Sequence, residues 1–108
     1  MKILKSIKEI NKFIKNNNLV ILYFSSPDCS ICKSLFPKIK NLISKLEDIE
    51  MAYIDINKVK KVGGEFSIFS MPTLLFYING KETLRKSRYI SIKVLKKELK
   101  RYIKLYQK

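Results

Sequence analysis

At 108 residues the chain has room for one ordinary domain, and a hydrophobic share of 46% is enough for a real core. Twenty-three Lys and Arg against nine Asp and Glu leave a formal charge of +14, which bears on partners more than on fold. With no His, histidine acid–base chemistry, histidine-containing triads and the usual zinc ligand sets within one chain are excluded, and two cysteines make no disulfide framework.

The start, MKILKSIKEI, is positive but lacks the uninterrupted apolar stretch and cleavage site of a secretion signal. No apolar run approaches the roughly 20 residues that a membrane span needs. The expectation is a soluble, cytoplasmic domain with no transmembrane segment, and a monomer by default.

Lys2 to Leu4 suits a short edge strand. Ser6 is a candidate helix N-cap, with Glu9 three residues later completing a capping box. Ile7, Ile10 and Ile14 follow at helical spacing, with Phe13 beside them, and the pattern dies in Asn16, Asn17 and Asn18. Leu19 to Phe24, LVILYF, is a continuous apolar run of β-formers, the signature of a central strand buried on both faces.

Ser25, Ser26 and Pro27 break that strand. From about Cys29 to Leu46 the period is helical again, with Leu35, Phe36, Ile39, Leu42, Ile43 and Leu46 on one side. Pro37 falls inside, where it removes a donor and bends the axis, yet the stripe stays in phase, so one kinked helix is predicted. Ala52 to Ile56 is a third strand, and the basic, glycine-containing stretch 57–67 holds a short or distorted helix. Thr73 to Ile78 is a strand stopped by Asn79-Gly80, a hairpin turn, and the returning strand is centred near Leu84. Ser91 to about Tyr106 is an amphipathic helix with Ile92, Leu95, Leu99, Ile103 and Tyr106 on its apolar face. The order is βαβαβ(α)ββα, an α/β chain whose helices can cover both faces of a mixed sheet in a single domain, residues 1–108.

Cys29 and Cys32 form a C-x-x-C immediately after the buried strand, where a helix opens. Unpaired amides at a helix N-terminus favour a thiolate and lower its pKa. One thiol could then attack a disulfide while the other resolves the product. Two other readings use the same pair: small buried hydrophobes, or ligands for a cluster or metal bridging two chains. The Ser-Ser-Pro-Asp context at a strand-to-helix turn is a poor place to bury inert thiols.

LVILYF followed by SSPDCSICKSLFP, then AYIDIN and FSIFSMPTLLFYING, resembles the thioredoxin family along essentially the whole chain. The resemblance implies a three-layer α/β/α sandwich with a central mixed sheet, and thiol–disulfide oxidoreductase activity on disulfide-containing proteins. No cofactor or metal is implied, and electrons would come from a thioredoxin reductase or a small thiol. It makes Cys29 the exposed nucleophile, Cys32 the buried resolving thiol and Pro37 the helix-bending proline. It also makes Pro72 a cis-proline whose loop, with Met71 and Thr73, faces a bound peptide.

The chain departs from the family pattern at several positions. Asp28 stands where a Trp usually precedes the first cysteine, and a carboxylate there opposes thiolate formation at Cys29 unless Lys33 or another cation compensates. Ser30 and Ile31 replace the common Gly-Pro between the cysteines, a pair that tunes the potential. Tyr23 occupies the place of a buried Asp on the central strand, and Met51 is expected at the place of the Lys often paired with it. Arg88 stands for a glycine before the last helix. A glutaredoxin-like role fits these changes as well as a thioredoxin one.

The charge is uneven: residues 81–108 carry eleven Lys or Arg against Glu82 and Glu98. That end could steer acidic proteins, nucleic acid or an anionic surface, or could simply be a solvated face. No recognition motif supports a dedicated nucleic-acid site. The alternative to an enzyme is a non-catalytic module on the same fold that binds acidic or peptide partners.

Overall fold

The computed structural model describes residues 1–108. In chain order the elements are β1 (Lys2–Leu4), α1 (Ile7–Asn16), β2 (Leu19–Ser25), α2 (Ser30–Ser44), β3 (Ile49–Asp55), α3 (Val62–Glu65), β4 (Thr73–Ile78), β5 (Lys81–Ser87) and α4 (Ile92–Tyr106). The five strands form one sheet in the order β1-β3-β2-β4-β5. β1, β3 and β2 run parallel, while β4 is antiparallel to both β2 and β5.

β2 explains the layering. All seven of its residues are buried, because successive side chains of a strand point to opposite faces and both faces are covered. Val20, Leu22 and Phe24 join Ile10, Phe13 and Ile14 of α1 and Val62 of α3 in one core. Leu19, Ile21 and Tyr23 join Leu35, Ile39, Leu42 and Ile43 of α2 and Leu95 and Leu99 of α4 in the other. The chain is thus the expected α/β/α sandwich. At about 1.5–3 kcal/mol for each large apolar side chain buried, this strand is the principal anchor of whatever leaves its end.

The helices start and stop as their sequences dictate. Ser6 caps α1 by accepting from the Glu9 N–H at 3.1 Å, and the Glu9 carboxylate reaches back to the Lys5 N–H, one residue beyond the expected capping-box partner. α2 runs as one element through Pro37, whose ring sits on the exposed side. Asn79 and Gly80 both take positive φ (49° and 82°), the conformation of a tight hairpin turn between β4 and β5.

Several details differ from expectation: β2 runs one residue further, to Ser25, and α2 ends at Ser44, two residues before Leu46. β3 begins at Ile49, three residues early, because Ile49 and Met51 pair with Leu19 and Ile21 while Glu50 points to solvent. Ile56 lies beyond the strand, though its N–H still donates to the Ser25 carbonyl at 3.0 Å. On α4, Tyr106 is exposed and Tyr102 packs on the core in its place. No helix is long and apolar enough to cross a membrane.

Candidate active site

The sheet register gathers the site at one end. In the antiparallel β2–β4 pair Phe24 lies opposite Thr73, so the end of β2 and the start of β4 share one edge. Thr73 also pairs with Ser87, which brings the end of β5 to the same place. The loop into Cys29, the Met71–Pro72 segment and Arg88 therefore converge, at the carboxyl end of the parallel strands where open α/β sheets hold their sites.

Cys29 is the N-cap of α2, and its Sγ accepts the Cys32 N–H at 3.2 Å. The two cysteines are joined in a disulfide with their α-carbons 5.2 Å apart. Their surroundings differ: Cys29 is half-buried, whereas Cys32 is 0% exposed. Ser30 and Ile31, between them, are both exposed. So are Asp28 and Lys33, which form no ion pair with each other.

The Met71–Pro72 bond is cis, as the resemblance implies. Pro72 is buried and Met71 half-buried. Thr73, also buried, donates its hydroxyl hydrogen to the Ser70 carbonyl at 2.7 Å and lies 3.3 Å from the Ser87 hydroxyl. The Pro72 carbonyl accepts the Arg88 N–H at 2.8 Å, extending the hairpin ladder one step past β5.

Beneath the disulfide, Tyr23 is fully buried, and its hydroxyl donates to the Cys32 carbonyl oxygen at 2.8 Å. Burial pushes its phenol well above the ordinary tyrosine range, and neighbouring Tyr53 adds to the shift, so Tyr23 is a fixed neutral donor. The expectation for Met51 is corrected here. Met51 pairs with Ile21, and it is Tyr53 that lies opposite Tyr23 in the parallel register. Tyr23, Phe36 and Tyr53 form an aromatic cluster with ring centroids 5.3 to 6.2 Å apart. Counting back from the ends of the two strands, Asp55 opposite Ser25, identifies Tyr53; the motif alone does not.

Two clefts frame the chemistry. One, of about 410 Å³, lies beside the disulfide between Ile31, Leu35 and Lys38 of α2 and the segment Arg88–Ser91. A larger one, about 550 Å³, sits at the opposite edge of the sheet among Asn11, Asn17, Asn18 and Asn79, and it contains no nucleophile. Volume does not mark the reactive end here. The disulfide does.

The sequence model of the Thioredoxin family matches residues 2–104. The chain belongs to the thioredoxin family. It is 34% identical over 104 residues to the thioredoxin-like protein YdfQ of Bacillus subtilis, covering 96% of this chain and 93% of that one. The thioredoxin of Mycoplasmoides gallisepticum is 26% identical over 100 residues, 93% of this chain and all of its relative. Among solved structures, a Plasmodium falciparum thioredoxin superposes with a TM-score of 0.85 at 27% identity, covering 94% of this chain and 99% of that one. The thioredoxin of Fasciola hepatica gives 0.84 at 26% identity, with 94% and 98% covered. A C-x-x-C disulfide in this fold is the working part of a thiol–disulfide oxidoreductase, and that is the activity of this thioredoxin-family chain.

Proposed function

We propose that the chain reduces protein disulfides with Cys29 as attacking thiol and Cys32 as resolving thiol. The unequal exposure of the two sulfur-bearing residues carries this reading: a partner can reach half-buried Cys29 but not Cys32. The Cys29 thiolate attacks one sulfur of the substrate, the substrate S–S bond breaks, and the leaving sulfur departs as a thiolate that takes up a proton. The Cys32 thiolate then attacks the Cys29 sulfur, closing the 29–32 bond and releasing the second substrate thiol. Two electrons pass to the substrate, and the protein is left oxidised. A thioredoxin reductase or a small thiol in the cytoplasm returns the electrons.

Met71, Pro72 and Thr73, at the start of β4 beside the end of β2, would line the substrate backbone. Ser30, Ile31, Asp28 and Lys33 surround the thiol at the surface, where they can tune its potential. The excess charge of residues 81–108 favours acidic proteins among the substrates, so their reduction should slow with added salt more than that of neutral ones. Equal salt dependence overturns that part.

Replacing Cys29 by Ser should abolish reduction of a model protein disulfide, and replacing Cys32 by Ser should trap a mixed disulfide at Cys29. Retained turnover by Cys29→Ser overturns the assignment of roles. A redox titration gives the direction: a potential near about −270 mV marks a reductant, and one near about −200 mV marks a glutathione-coupled role. A pair that does not interconvert reversibly would leave the fold as a binding module for acidic or peptide partners.

A further inference from the structure

Arg88 combines three features that no core or helix requirement explains. Its backbone is left-handed (φ 62°), a conformation that a β-carbon disfavours and glycine accepts freely. Its N–H is fixed to the Pro72 carbonyl at 2.8 Å, so its position relative to the disulfide loop is set by the hairpin. Its guanidinium lies 5.9 Å from the centroid of the Tyr89 ring and has no carboxylate partner. The two acids of residues 81–108 are already engaged, Glu82 with Arg85 and Glu98 with Lys86, and Asp28, beside Cys29, pairs with no cation. A strained backbone carrying an unpaired charge is a reason to look for a ligand.

The surroundings say which ligand. Arg88 and Lys38 stand on the rim of the 410 Å³ groove whose walls include Ile31, Leu35, Tyr89 and Ile90. Ile31 is 44% exposed and Tyr89 80% exposed, so the groove presents apolar surface to solvent beside the disulfide. Because Ile31 lies between the two cysteines, two residues after Cys29, the groove opens next to the C-x-x-C. No acidic residue lines it, so both cations face it uncompensated.

We propose that this groove selects the substrate: it takes an apolar side chain lying close to the reactive cysteine of a protein disulfide, and Arg88, with Lys38, pairs with a neighbouring Asp or Glu. This rests on the oxidoreductase reading above and adds the specificity to it. The occupant is an acidic, partly apolar polypeptide segment, matched to the groove by charge and by its apolar walls. Arg88 is the specificity-determining residue, because the hairpin holds its backbone in place while the side chain stays free to pair.

The test uses two disulfide-bonded peptides of one sequence, with a Leu beside the reactive cysteine and either Asp-Asp or Asn-Asn after it. Wild-type protein should reduce the acidic peptide with a kcat/KM about three- to tenfold above the neutral one at low salt. In Arg88→Gly, which suits the left-handed backbone, the ratio should fall towards one. In Arg88→Lys it should be largely kept, and in Arg88→Glu it should invert. The ratio is read within each variant, so a general loss of activity does not mimic the effect. An unchanged ratio in Arg88→Gly, or equal rates with both peptides in the wild type, overturns this inference while leaving the oxidoreductase intact. Failure of the wild type to reduce either peptide, or a standard protein disulfide, overturns the underlying reading instead.

Discussion

The Tyr23 hydroxyl donates to the Cys32 carbonyl across 2.8 Å, with both residues fully buried, so the resolving cysteine is held from below by a neutral group. A phenol in this position can hold the start of α2 but cannot exchange a proton near neutral pH. Replacing Tyr23 by Phe should cost about 1 kcal/mol, the net value of one hydrogen bond, as a shift in the urea midpoint of the oxidised protein. The sign of the pH effect is fixed by the raised phenol. The folded state keeps this proton where the unfolded chain releases it, so the contribution is full below the unfolded pKa of about 10 and is lost as pH rises. The wild-type and Tyr23→Phe stability curves should therefore cross in strong alkali, the Phe variant becoming the more stable of the two. Parallel curves would show that the phenol is not burdened by its burial.

No carboxylate is buried anywhere in the chain. The potential of the Cys29–Cys32 pair should then fall by about 59 mV per pH unit below the thiol pKa values, as two protons accompany two electrons. Its breaks should coincide with thiol pKa values measured independently by alkylation. A further break, matching neither thiol, would reveal an acid coupled to the pair.

The disulfide closes a very short loop and, in the chain-entropy account, should stabilise the oxidised form over the reduced one by about 2 kcal/mol. Urea unfolding with and without a strong reductant measures this directly. Equal midpoints would mean that the folded dithiol gains as much from its surroundings as the bond supplies.

Arg85 ties β5 to the segment before the cis-proline: it pairs with Glu82 at 2.7 Å and donates to the Phe66 and Ser67 carbonyls at 2.9 Å each. Arg85→Ala should speed amide exchange around residues 63–69 more than elsewhere. The hydrogen bond from Arg85 holds the Glu82 carboxyl below its ordinary range. Its contribution is therefore present above the unfolded glutamate pKa and lost as pH falls through the folded one. The pair is partly exposed, so Glu82→Gln should cost less than about 1 kcal/mol at neutral pH and nothing in strong acid. A cost that persists in acid would assign the effect to shape rather than charge.

The sheet and its helices were legible because LVILYF, TLLFYI and the α1 and α2 stripes carry unambiguous periods. The strand–C-x-x-C–helix arrangement and the M-P-T before β4 likewise located the disulfide and the loop beside it. What the sequence hid was cross-strand register. β3 is longer than its pattern suggests because Glu50 interrupts its start, and Met51, expected at the place of the family's Lys, lies two residues short of Tyr53, the residue that the register sets opposite Tyr23. Tyr106 continues the helical period but sits in the last turn of α4 beside the polar residues Asn18, Asp48 and Glu50, so it stays exposed while Tyr102 packs on the core. The groove beside Ile31 draws on α2 and on the turn before α4, fifty or more positions apart, and no local pattern joins them.

The bond from the Arg88 N–H to the Pro72 carbonyl, with Thr73 clasped between Ser70 and Ser87, makes the rim around Cys29 an extension of the sheet rather than a loose lip. A rim built this way has little freedom to mould itself around an arriving molecule. Accommodation in the encounter falls to the partner, and with it the entropy of ordering. Cystines in supple, solvent-swept stretches should therefore be reached far sooner than equally reactive ones locked inside rigid domains.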